Sequence, residues 1–181
     1  MASRTGAIVR LDNYRRNTWT VFDIAWEQTA LRAVAALAQN QRLTAAVLLT
    51  RAEGLLRERS AEDDPRRAAC LTLLTRLELG LGERPAAMRL RPDAERAWRA
   101  ALGWLERVRP GETPAEQAEC RRLLQRAADF TAALGGPADR QSGPVLDQPL
   151  SPVGLTPDRR KLLAAVAVAT SSPDAARAAS A

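Results

Sequence analysis

The side chains able to do chemistry are few in this chain, and one type is missing. The 181 residues include no histidine. That removes the commonest general base at neutral pH, the usual partner of a serine or cysteine nucleophile, and the commonest metal ligand. The two cysteines, Cys70 and Cys120, are 50 positions apart in different helical segments. This is neither a metal-ligand spacing nor a secreted disulfide framework, and both fall on apolar faces, where a free thiol behaves as a small hydrophobe. The acidic run Glu62-Asp63-Asp64 stands directly before Pro65. Carboxylates can hold a divalent cation, but no second oxygen-rich segment repeats the spacing. Aspartate as N-cap with proline at the first helical position is instead a helix start, and the run reads as a capping device. Gly80-Leu81-Gly82 lacks the following Lys and Ser/Thr of a phosphate loop and reads as a helix end. The remaining acids stand at helical spacing from arginines, Glu53 with Arg57 and Glu95 with Arg99, as solvated ion pairs. No carboxylate pair is isolated on an apolar face, as raising a pKa for acid catalysis requires. The expectation is a protein that is not an enzyme, with no cofactor and no bound metal.

The formal net charge of +6 raises the question of nucleic acid, and its distribution answers it in part. Residues 1–22 carry four Arg against Asp12, residues 23–134 carry 18 Arg against 16 acids, and the rest carries five basic residues against four acids. The central region is therefore nearly neutral, with the signs interspersed, which describes a solvated surface better than a phosphate groove. All basic residues but Lys161 are Arg, which with abundant Ala, Leu, Pro and Gly is the coding bias of a GC-rich bacterial genome. Cations and aromatics do gather in the N-terminal arm, where Arg10, Tyr14, Arg15 and Arg16 precede Trp19. That composition is the basis of an alternative reading, a small regulator touching nucleic acid through the arm. Residues 1–10 lack the apolar core of a signal peptide, and the longest apolar run, 162–169, is too short to span a bilayer. The chain reads as cytoplasmic.

The elements that must position these residues are helical. Residues 20–134 read as five amphipathic helices separated by Pro, Gly and acidic turns, with no alternating strand pattern among them. The first, 21–39, places Trp26, Ala30, Val34 and Leu37 on one face; Asn40 sits where a left-handed cap belongs. The second, 41–58, carries Ala45, Leu48, Leu49, Ala52, Leu55 and Leu56. The third, 66–81, is expected to bury Cys70, Leu73, Leu74, Leu77 and Leu81. Pro85 and Pro92 bound an interruption over 83–92, and Asp93 caps a fourth helix to residue 108, with Trp98, Ala101, Leu105 and Val108 inward. Trp104 falls off that stripe, as a second packing face or as an aromatic for a partner. Thr113-Pro114-Ala115-Glu116 is a capping box with proline at the first position, opening a fifth helix that ends at Gly135-Gly136-Pro137.

Four regions follow: a basic arm (1–19), the helical domain (20–134), a Pro/Gly-rich linker (135–157), and a short helix with a frayed end (158–181). The last helix has Leu162, Leu163, Val166 and Val168 behind a basic first turn. It either packs back on the body or docks on a partner. The fold class is all-α: antiparallel helical hairpins, as a five-helix body with a flexible C-terminal tail.

Ala33, Ala45 and Ala52 recur at separations of 12 and 7, the small-residue spacing of one tetratricopeptide hairpin, and the chain resembles that family over this hairpin. Thr29 and Arg32 stand where the family has large apolar residues, and the 34-residue period does not continue, so an irregular bundle is the other form the body can take. The resemblance implies a surface that binds proteins or peptides without catalysis. The expected function is a non-catalytic adaptor or chaperone-like module holding a protein partner, with Trp104, Arg96, Arg99, Arg121, Arg122 and the tail helix as the contact residues.

Overall fold

The computed structural model describes residues 19–111, 113–136 and 156–171. Six helices make up the fold, with no strand among the described residues: α1 (Val21–Ala38), α2 (Arg42–Arg59), α3 (Pro65–Gly80), α4 (Arg84–Val108), α5 (Pro114–Ala133) and α6 (Pro157–Thr170). The all-α class stands.

Local chemistry starts and stops these helices. Thr20 and Asp23 form a capping box at α1, and Thr113 and Glu116 form one at α5. Asp64 caps α3 through the Arg66 N–H with Pro65 behind it, and Thr156 caps α6 through the Arg159 N–H. Each satisfies a donor that the first turn would otherwise leave without a partner. Asn40, at φ 58°, makes the left-handed turn between α1 and α2.

Each of the first five helices packs on its neighbour in the chain, most extensively α3 on α4, and α6 returns to lie mainly on α3, less on α5 and only lightly on α1. Ion pairs give the directions. Arg66 of α3 and Lys161 of α6 both approach Asp23 of α1, and Arg159 of α6 pairs with Glu116 of α5. The first turns of α1, α3, α5 and α6 thus gather at one end, where α2 and α4 finish, as the Arg67–Glu53 and Arg107–Asp63 pairs show. The core between them is built from Trp26, Leu49, Leu56, Leu73, Trp98 and Leu124, with Ala33, Ala45 and Ala52 fully buried at close approaches. Of the two dispositions open to the last helix, the structure shows the packed one: Leu162, Ala165, Val166 and Ala169 are buried.

Two expectations are corrected. The interruption expected over 83–92 is helical, and α4 runs through Pro92 as one helix of 25 residues. A mid-helix proline costs about 3 kcal/mol, and tertiary contacts of the upstream turns offset it. Ala87 is fully buried, Arg91 Nη1 donates to the Leu134 carbonyl at 2.9 Å, and Met88 lies against Gly135. Gly135 has φ +77°, the left-handed conformation that favours glycine, and a Cβ there would come 3.0 Å from the flexible end of Met88. The second correction is Trp104, which is 5% exposed inside the core. α4 packs on both α3 and α5, so it is buried over more than one stripe, and this ring lies in the buried part.

Candidate functional site

The side chains expected to meet a partner do not come together. Trp104 is buried. Arg96 pairs with Asp93, Arg99 with Glu95 at 3.7 Å, Arg121 with Glu106 at 3.2 Å, and Arg122 with Glu119 at 2.6 Å. These are exposed or half-exposed pairs on α4 and α5, of the kind that contribute little and are screened by salt. Glu53–Arg57 pairs as its spacing implies, but Glu53 is buried rather than solvated, because Arg67 of α3 also reaches it at 3.3 Å. Arg10, Tyr14, Arg15 and Arg16 lie outside the described residues.

The structure instead opens a groove between α1 and α6, where the two helices run side by side but barely touch. Its volume is about 470 Å³. The floor and walls are apolar, formed by Trp26, Leu31 and Val34 on one side and Ala164, Ala167 and Val168 on the other. The groove stays open because α6 presents alanines where larger side chains would close it. At one end Arg160 forms a two-pronged pair with Glu27, at 2.5 and 3.3 Å, and lies 4.3 Å from the centre of the Trp19 ring.

Beside that end sits a buried ionic cluster that no sequence pattern announces. Arg66, 2% exposed, donates from Nε and Nη2 to both oxygens of Asp64 (2.9 and 2.7 Å) and from Nη1 to Asp23 (2.6 Å), with its guanidinium 5.3 Å from the Trp26 ring centre. Burial by itself would lower the Arg66 pKa, but Asp64 and Asp23 outweigh it and raise it. For Asp23, burial pulls upward, while the Thr20 N–H and hydroxyl and the charges of Arg66 and Lys161 hold the carboxyl below its usual range. Burial pushes the Asp158 carboxyl up, partly countered by Lys161. Every charge in the cluster has a partner, so its role is to lock α1, α3 and α6 in register beneath the groove. Of this cluster, the sequence carries a local signal in the Thr20–Asp23 capping box and the Asp64 cap. Arg66 carried no signal beyond its place two residues after a cap.

Cys70 is fully buried, and burial pushes its thiol up to about 12; Cys120 is raised for the same reason. Both are free thiols and are poor nucleophiles in the folded state. Among the described residues no group of three or more Cys, Asp or Glu converges as metal ligands would, and no helix is long and apolar enough to cross a membrane.

Fold and groove together define the class: a six-helix all-α module with an open apolar channel along one side. Comparisons with known proteins find no matching family model, no similar curated protein and no similar solved structure.

Proposed function

We propose that this chain is a non-catalytic, cytoplasmic protein-binding module, adaptor- or chaperone-like, that holds an amphipathic helix of a protein partner in the channel between α1 and α6. The observation that carries this reading is the channel's lining. The contributors are spaced helically on both walls, at 27, 31 and 34 on α1 and at 160, 164, 167 and 171 on α6. Ridges with that spacing receive the i, i+3/i+4, i+7 side chains of a third helix. The Glu27–Arg160 pair at one end gives polar groups to fix orientation. Two buried free thiols suit a reducing compartment.

A photo-crosslinking side chain placed at Val34 or Ala167 tests this in the native cell, with exposed Gln125 on α5 as control. The expected result is one protein adduct at 34 and 167, absent at 125 and abolished at 34 by Ala167→Glu. The same adducts at all three positions would refute the reading. A gel shift with duplex nucleic acid is the counter-test: retardation that collapses steeply with salt would move the function to the basic arm.

A further inference from the structure

The exposed residues of α1 repeat with a period the core does not explain. Val21, Ile24, Gln28, Leu31, Ala35 and Ala38 are all exposed, at spacings of three and four in alternation. This is the a/d pattern of a coiled coil, running opposite the stripe of Trp26, Ala30, Ala33 and Leu37 that α1 buries in its own core. Val21 is 84%, Ile24 40% and Leu31 57% exposed, and on the outward face of α2 Leu43 and Val47 are 75% and 69% exposed. Five of the six large apolar side chains that the described residues leave in water thus stand on one helix pair. Three of the five stand on the α1 seam and two on the adjacent α2, a gathering of exposed apolar side chains of the kind that marks an interaction surface. Among the described residues none packs on this outer side of α1, and a monomer needs a polar face at such an end.

We infer that α1 is the dimerisation helix of this protein and pairs in parallel with α1 of a second copy about a two-fold axis. With Val21 as position a, Glu27 falls at g and Arg32 at e. A parallel pair sets g beside the e position five residues on in the other helix, so Glu27 of each copy meets Arg32 of the other. Arg32 is exposed, and no acidic partner for it exists among the described residues of its own chain. The Glu27 carboxylate, which already holds Arg160, has acceptor sites to spare. An antiparallel pair sets g against g and e against e, and uses neither charge. Gln28, at a central a position, meets its own mate, the polar device that fixes register and strand number at some cost in stability. Ala35 and Ala38 let the helices approach at the far end. The seam is short, but α1 is already folded on its own core, so pairing does not have to order it.

A small, short seam of this kind belongs with weak, reversible interfaces. Sedimentation equilibrium of the full chain, 19.7 kDa, should show a monomer–dimer equilibrium between about 1 and 100 µM. Val21→Glu with Ile24→Glu should weaken it on the order of 100-fold. Acids in a first turn suit the helix dipole, so circular dichroism should be unchanged. Ala38→Cys, at a d position, should crosslink to its mate on oxidation, since Cys70 and Cys120 are buried and do not compete. A monomer at all concentrations overturns the inference, as does a dimer indifferent to the double substitution. A dimer that Ala38→Cys fails to crosslink overturns the parallel arrangement. Leu31 and Glu27 belong to both the seam and the channel, but the substituted positions Val21, Ile24 and Ala38 do not line the channel, so these variants read the dimer without altering the proposed binding site.

Discussion

Replacing Arg66 by alanine is the sharpest test of the buried cluster. The substitution removes three charge-assisted bonds, at 2.6, 2.7 and 2.9 Å, and leaves Asp64 buried with no cation and Asp23 buried with only Lys161, 4.0 Å away. Breaking a buried pair in this way costs about 3–5 kcal/mol, because the remaining charge is neither solvated nor compensated. A domain this size has roughly 5–15 kcal/mol of stability in all, so the variant should lose on the order of 10 °C in melting temperature. Asp63→Ala, which breaks the largely exposed pair with Arg107, should cost under about 1 kcal/mol and serves as control.

The pH dependence gives a second check. In the wild type Asp23 has a lowered pKa, so its stabilisation is present above the unfolded carboxylate value of about 3.9 and is lost as pH falls through the lower folded value. In Arg66→Ala, Asp23 keeps its burial and its bonds from Thr20 but loses the guanidinium, so its pKa rises from the wild-type folded position. Asp23 then takes up its proton at a higher pH in the variant than in the wild type, so the gap between them should be smaller at about pH 4 than at about pH 7. Urea denaturation followed by tryptophan fluorescence at both pH values measures this. A loss below about 1 kcal/mol at neutral pH, or a gap that widens in acid, would refute the reasoning.

Trp98 is fully buried and donates from Nε1 to Thr72 Oγ1 at 2.8 Å, so Trp98→Ala should cost about 3–5 kcal/mol by chemical denaturation. Trp104→Ala should cost nearly as much, since α4 is buried on two sides; a negligible loss would show that ring to be free. Thr113→Ala removes the capping box at α5 and should cost about 1 kcal/mol, read as a shift in denaturation midpoint with unchanged slope. Cys70 and Cys120 should resist a thiol reagent at pH 8 in native buffer and react fully in denaturant; rapid native labelling of Cys70 would contradict its raised pKa and burial.

What the sequence determined alone is what interactions within four residues decide. Asp64-Pro65, Thr113-Pro114-Ala115-Glu116 and Thr156-Pro157 start helices because the capping atom and the N–H it satisfies lie within one turn. The inward stripes at Trp26, Ala30 and Leu37, and at Ala45, Leu49, Ala52 and Leu56, follow from the helical period and are buried. The tertiary structure decided what depends on a partner distant in the chain. Whether Pro92 ends a helix depended on Leu134 and Gly135, which hold the turns before it. Trp104 is buried because α4 has neighbours on two sides. An aromatic off the main stripe looks the same in sequence whether a second helix or water covers it. Arg66 is buried because Asp23, 43 residues earlier, arrives beside it. The outward seam of α1 was in the residues throughout, interleaved with the inward one. Two apolar stripes on one helix blur each other's period, and only the packing of the other helices separates the face that is covered from the face left open.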